Sequence, residues 1–111
     1  MTSSLTELAL RYFKKKGYKI EQDVSLEGFS GLTRKFDILI KRGDERRVVW
    51  VKDWKRTVGV NMVINIDKAS TDVGMSRPII ISDKFSGHAK AYANRRGITL
   101  ITKREILRYL R

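Results

Sequence analysis

Two apolar runs separated by a tight turn stand near the middle of the chain. Phe36 to Lys41 and Val48 to Lys55 flank Gly43 and Asp44, a pattern that predicts two antiparallel strands joined by a hairpin turn. The first run carries Asp37 near its start, and the second ends in charged residues. Charges that enter buried strands are costly unless they are paired or do chemistry. This hairpin is therefore the first place to look for function.

Apolar positions at helical spacing predict four helices around these strands. Ser4 with Glu7, and Thr102 with Glu105, have the spacing of a capping box, which marks where a helix begins. Glycines stand where the first three helices should end. The predicted helices begin at Ser4, Val60, Ser86 and Thr102 and end near Gly17, Gly74, Gly97 and Leu110.

Three further strands complete the pattern. Tyr18 to Leu26 alternates weakly, whereas Pro78 to Ser82 is a continuous apolar run typical of a strand buried on both faces, and Ile98 to Ile101 is the last strand. The predicted order is α-β-β-β-α-β-α-β-α. An antiparallel meander followed by βαβ units predicts an α/β fold, a mixed sheet with helices on both faces.

Length and residue types bound the possible chemistry. The 111 residues predict one domain, spanning positions 1–111. Cysteine is absent, which excludes disulfides and thiolate metal sites, and there is one histidine, His88. Any metal would then be held by carboxylates, for which Mg²⁺ is the natural choice. No stretch is long and apolar enough for a membrane span, and the N-terminus lacks a signal-peptide layout, so we expect a cytoplasmic protein.

The charge balance points to a polyanionic partner. Lysine and arginine number 24 against 12 acidic residues, a formal net charge of +12. Excess charge of one sign opposes compaction and favours binding to the opposite charge. We expect nucleic acid rather than a membrane surface, because no basic amphipathic helix with bulky apolar anchors is present.

The chain resembles the PD-(D/E)xK nuclease superfamily, and most of all the Mrr-type restriction endonucleases and archaeal Holliday junction resolvases. The resemblance rests on FD opening one strand and a lysine ending the next, on KDWKRTVGV (52–60), and on FSGHAKAYANRRGITLI (85–101). It extends from about Leu5 to Leu107. It implies a restriction-endonuclease-like fold, DNA as the partner, possibly branched, and Mg²⁺ as the cofactor of an active member. With the charge, it also suggests an archaeal origin.

The resemblance assigns the family's site residues to the central hairpin. The family's first acid corresponds to Asp37 and its lysine to Lys52, where metal and lysine would activate water and stabilise the charged transition state. The second acid then falls on Trp50, which cannot bind a metal. An alternative register uses Asp53 and Lys55, which spell D-x-K, but that one-residue slip would turn the strand over. Glu7 could also complete the site, since resolvase-like relatives carry an acid on the first helix.

A basic surface is expected around this site. Trp54 is a candidate for stacking on a base or contacting the backbone, although core packing would also explain it. Without a recognition helix or zinc finger, contacts should favour backbone and shape over base sequence. The candidate DNA-binding residues are Arg34, Lys35, Lys52, Trp54, Lys55, Arg56, Arg95 and Arg96.

Three functional hypotheses follow from this pattern. The first is a degenerate nuclease that binds DNA without efficient cleavage, because Trp50 stands where an acid is needed. The second is an active Mg²⁺-dependent endonuclease that uses Asp37, Asp53 and Lys55, with Asp37 and Asp53 as metal ligands. The third is an accessory or architectural DNA-binding subunit. A homodimer is possible in each case.

Overall fold

The computed structural model describes residues 4–111. Within this range the order of helices and strands is the predicted one, and the fold class is confirmed. The elements are α1 (Leu5–Lys15), β1 (Lys19–Glu27), β2 (Thr33–Arg42), β3 (Glu45–Lys52), α2 (Val60–Asp72), β4 (Ile79–Ser82), α3 (Gly87–Arg96), β5 (Thr99–Thr102) and α4 (Lys103–Leu110). No helix in this range combines the length and apolarity of a membrane span.

The five strands form one mixed sheet in the order β1-β2-β3-β4-β5. The first three strands are antiparallel neighbours, while β3, β4 and β5 run parallel. Because parallel strands end at the same edge of a sheet, Lys52, Ser82 and Thr102 lie side by side at the carboxyl edge. Chemistry carried by the end of β3 therefore lies at this edge.

Helices cover both faces of the sheet, as the sequence predicts. Helices α1 and α4 pack with Ile38, Val49 and Ile81 on one face. Helices α2 and α3 pack on the other face, against Ile80 and Val48. The Thr102–Glu105 capping box forms with both of its hydrogen bonds, whereas Ser4 accepts from the amide of Glu7.

The β1–β2 hairpin changes faces part-way along its length. Its ladder pairs Gln22 with Ile38 and resumes with Val24 and Phe36, which leaves Asp23 and Asp37 opposite each other without a ladder pair. Asp23 has φ 51°, in the left-handed region that aspartate tolerates better than most residues. We call these two opposed positions the hairpin corner.

The consequence of the corner is visible in the packing on either side of it. Ile20 and Ile38 belong to the core under α1 and α4. Val24 and Phe36 instead pack with Ala69 of α2 on the opposite face. An unbroken strand would keep all these even-numbered positions on one face. The distal half of the hairpin therefore folds over α2, and the corner faces solvent near the end of β3.

Candidate functional site

A cleft of about 520 Å³ lies at the hairpin corner, where β1 and β2 bend away from the end of β3. It brings together Asp37 and Lys52, which the resemblance assigns to one site, and Trp50 lines the same cleft. The residues that line it are Asp23, Val24, Ser25, Lys35, Phe36, Asp37, Trp50 and Lys52.

Asp37 is held by the backbone of the neighbouring strand. The ladder between β2 and β3 ends at Ile38 and Val49. One residue further, a carboxylate oxygen of Asp37 accepts a hydrogen bond of 2.7 Å from the amide of Val51. The side chain thus takes over the acceptor role that a backbone carbonyl would have in a continued ladder, which fixes the carboxylate at the rim of the cleft.

Trp50 is anchored by both its ring and its nitrogen. The indole Nε1 donates to the carbonyl of Lys35 at 3.0 Å, and the ring centroid lies 6.2 Å from that of Phe36. The side chain is half-buried and contacts both cores under α2 and α3. A ring packed in this way fills the wall of the cleft and supplies no oxygen ligand.

Lys52 ends β3, and its side chain lies close to two tryptophan rings. Its ammonium lies 5.0 Å from the ring centroid of Trp50 and 5.7 Å from that of Trp54. The guanidinium of Arg56 lies 4.1 Å from the ring centroid of Trp54. The backbone carbonyl of Lys52 accepts a hydrogen bond of 2.9 Å from the buried hydroxyl of Ser82. Cation–π contact with these two rings holds the ammonium at the end of β3.

The slipped register is not formed. Pairing between β3 and β4 runs without interruption from Val49 to Lys52, where β3 ends, so Asp53 and Lys55 lie beyond the strand. Asp53 turns to the other face, and its carboxylate accepts a 3.1 Å hydrogen bond from the amide of Leu5 at the positive end of α1. Glu7 is exposed on the first turn of the same helix. Neither acid lines the cleft.

The candidate DNA-binding residues divide into two groups. Lys35 lines the cleft, and Lys55 and Arg56 are exposed beyond the end of β3. Arg34 does not join them: its Nε donates at 2.9 Å to Asp72 in a separate cleft along α2. In that cleft Arg96 pairs with Asp67 at 2.9 Å.

The two remaining candidates sit against aromatic rings. Trp54 is half-buried under Arg56 and packs with the core below α3. Only part of its ring is therefore accessible for stacking on a base. Arg95 is exposed, with its guanidinium 6.0 Å from the ring of Tyr92. Contacts of these residues with DNA stay predictions.

Asp23 is the charged residue of this cleft that the sequence pattern does not mark as a candidate. It faces Asp37 across the hairpin corner and is exposed. The available signal is the polar stretch Glu21 to Asp23, which separates Ile20 from Val24 in β1. That signal is weak because a polar residue at an odd position is also what plain alternation predicts.

Residues 2–110 match the family model of the Mrr catalytic domain, described as restriction endonuclease. The chain belongs to this family. Its fold is accordingly that of the PD-(D/E)xK nucleases, and the match covers the whole sheet and all four helices of the described range. No curated protein matches the sequence.

Solved structures share the fold at low sequence identity. The protein of unknown function AF1548 superposes with a TM-score of 0.83 at 20% identity over 95% of this chain and 64% of its own. A repair endonuclease from Pyrococcus abyssi gives 0.66 at 16% identity over 92% and 47%. EndoMS in complex with double-stranded DNA gives 0.54 at 14% identity over 92% and 46%. The chain thus spans less than two thirds of each of these structures.

Members of the Mrr catalytic family are typically dependent on divalent metal ions, and the cleft of this member fits such an ion poorly. Asp37 is present, but the strand position two residues before Lys52 holds Trp50 instead of an acid. Asp23 is the other carboxylate in the cleft. Nowhere in residues 4–111 do three or more carboxylate or histidine side chains converge on a possible metal site. Hard cations need several oxygen ligands, so the half-buried carboxylate of Asp37 and the exposed one of Asp23 make a weak site.

Proposed function

We propose that this chain is a DNA-binding, nuclease-like domain that holds the phosphate backbone at the cleft between Asp37 and Lys52 without efficient cleavage. The observation that carries the proposal is the packing of Trp50. Its ring is fixed by a hydrogen bond to Lys35 and by the cores around it, where the family pattern has a metal-binding acid. An indole at this position supplies no carboxylate, so the pair of strand acids that would concentrate Mg²⁺ beside the scissile phosphate is incomplete.

Charge supports DNA as the ligand. The net charge of +12 is unusual for so short a chain, and Lys35, Lys52, Lys55 and Arg56 surround the end of β3. Lysines and arginines that neutralise phosphates release counterions, which provides most of the affinity of sequence-independent binding. One structural neighbour, EndoMS, is bound to double-stranded DNA. Branched DNA is included in the proposal because the resemblance covers junction resolvases.

An active endonuclease is the second candidate, and one observation favours it. Asp23 and Asp37 line the same cleft as Lys52, so an acid from β1 could stand in for the one missing from β3. The sequence-based version of this hypothesis, with Asp53 and Lys55, is weakened by the hydrogen bond between Asp53 and the amide of Leu5 in α1.

An accessory role beside a catalytic partner is the third candidate, since the chain spans less than two thirds of its structural neighbours.

Cleavage and binding are tested in one set of incubations. The protein is mixed with supercoiled, linear and four-way-junction DNA, with Mg²⁺, with Mn²⁺ or with EDTA, beside Asp37→Asn and Asp23→Asn. The proposal expects complexes in EDTA whose affinity falls as salt rises, by about 0.9 log units per log unit of salt for each phosphate neutralised. Metal-dependent cutting that either substitution abolishes would establish the active nuclease instead. Binding that is indifferent to salt would refute a phosphate-binding surface.

A further inference from the structure

The tip of the β1–β2 hairpin presents apolar side chains to solvent. Residues 28–32 connect the two strands, and in this short loop Phe29 is 86% exposed and Leu32 is 58% exposed. They are the two most exposed large apolar side chains of the described residues. A single exposed apolar residue needs no explanation, but two on one loop mark a candidate contact surface.

This loop is held in place by the end of α2. Asp72 accepts hydrogen bonds from the amide of Ser30 at 2.9 Å, from its hydroxyl at 2.7 Å and from Arg34 at 2.9 Å. The amide of Phe29 donates to the carbonyl of Asp72 at 2.8 Å. These bonds hold the pKa of Asp72 well below its usual range, at about 2, so the carboxylate is ionised at neutral pH.

The backbone at the tip fits this anchor closely. A Cβ added at Gly28 would overlap the carboxylate of Asp72, so glycine is needed for the approach. The ring of Phe29 reaches over Gly74, which follows α2. The loop backbone is thus fixed while the two apolar side chains remain outside the core. Fixing a loop costs conformational entropy, and the fixed loop buries neither of its two apolar side chains in return. A binding partner for these side chains would account for both costs.

The position of the tip relates it to the cleft. Lys35 of β2 lines the cleft and lies three residues after Leu32, the last residue of the loop. At about 3.3 Å per residue, the apolar tip begins about 10 Å from the phosphate-binding surface. One turn of duplex DNA is about 34 Å long, so DNA seated in the cleft along the hairpin passes the tip within one turn.

We propose that Phe29 and Leu32 form a wedge that stacks on, or inserts between, bases of DNA whose backbone is held at the cleft. Phenylalanine and leucine are among the side chains that unstack base steps in DNA-bending proteins. The inference rests on the proposed function. A second copy of the chain is a poorer occupant, because two side chains fall far short of a stable protein interface and a net charge of +12 opposes self-association.

The test uses DNA that carries the fluorescent base aminopurine and is free of metal. The double variant Phe29→Ser/Leu32→Ser is compared with the wild type and with Leu107→Ser, a control on α4 whose leucine is also exposed, at 44%. Wild type and control should raise the fluorescence as the base unstacks. The double variant should lose this rise and bind about tenfold more weakly, as expected for the loss of one stacked base, with an unchanged dependence on salt.

Several outcomes separate the two proposals. Absence of any salt-dependent complex with wild-type protein would refute the proposed function itself. A salt-dependent complex in which wild type and double variant give the same fluorescence would overturn the wedge alone. A double variant that binds DNA like wild type but changes its elution volume in size-exclusion chromatography would assign the tip to protein contact. Circular dichroism checks that the variants are folded, which is expected because both side chains lie outside the core.

Discussion

Replacing Asp37 separates its hydrogen bond from its charge. Asparagine keeps an oxygen that can accept from the amide of Val51, whereas alanine leaves that amide without its 2.7 Å partner. A hydrogen bond to a charged group contributes about 1.5–3 kcal/mol to stability. We therefore expect Asp37→Ala to lower the free energy of unfolding by about 2 kcal/mol and Asp37→Asn to lower it by less than about 1 kcal/mol.

The effect on DNA affinity has the opposite sign. In a cleft that holds no metal, the carboxylate of Asp37 repels the phosphate that Lys35 and Lys52 attract. Two unit charges about 4 Å apart interact by about 1 kcal/mol in water. Removing this repulsion should make Asp37→Asn bind about fivefold more tightly than wild type at low salt. A metal-dependent site would behave differently, because there the carboxylate holds the cation that bridges to the phosphate.

Fluorescence anisotropy with a labelled duplex, in EDTA and in Mg²⁺, measures this difference, and urea unfolding followed by tryptophan fluorescence measures stability. Asp44→Asn is a matched control, since Asp44 lies in the turn between β2 and β3 and outside the cleft. Tighter binding by Asp37→Asn in both solutions supports a phosphate-binding cleft without a resident metal. The reasoning is refuted if the variant binds more weakly in EDTA, or if Mg²⁺ tightens binding by wild type alone.

Two further predictions concern stability. Trp50→Ala should lower the free energy of unfolding, measured by urea titration, by about 3 kcal/mol, because it removes a ring packed in two cores. Trp50→Phe should retain most of that packing. An equal loss of unfolding free energy in the two variants would contradict this account. The pKa of Asp72 falls from 3.8 to about 2 on folding because Ser30 and Arg34 bind the carboxylate, so its stabilising contribution is complete above about pH 4 and is lost as pH falls toward 2. Asp72→Asn should flatten the pH dependence of unfolding in that window, and an unchanged slope would argue against the anchor.

The sequence predicts the element order because each element carries its own local signal. The continuous run that becomes β4, the Thr102–Glu105 capping box and the glycine after α3 each mark an element without knowledge of the rest. The sequence pattern predicts that β3 ends at Lys55, three residues beyond its observed end at Lys52. The apolar pattern returns at Trp54, but tertiary contacts end the strand earlier: pairing with β4 stops at Lys52, and Asp53 accepts a hydrogen bond from the amide of Leu5.

The shape of the cleft could not be predicted from periodicity. Ile20 and Val24 both occupy even positions, so alternation predicts that they share a face, yet they belong to opposite cores. The difference depends on the left-handed backbone of Asp23, and most aspartates in proteins do not adopt that conformation, so the residue type alone does not predict it. The ion pair between Arg34 and Asp72 could not be predicted from local sequence either, because the two residues lie 38 positions apart in the chain.

The hairpin corner also determines which alignment of β1 and β2 can exist. β1 is an edge strand, paired on one side only. In an evenly alternating hairpin, a slip of two residues restores every side chain to its face, so edge strands can shift without exposing their apolar side. Here a two-residue slip would move Asp23 away from Asp37, so β1 and β2 would change faces at different points along the hairpin. The apolar side chains of one strand would then no longer lie on the same face as their partners in the other strand. Only one register buries the apolar side chains of both strands in both cores.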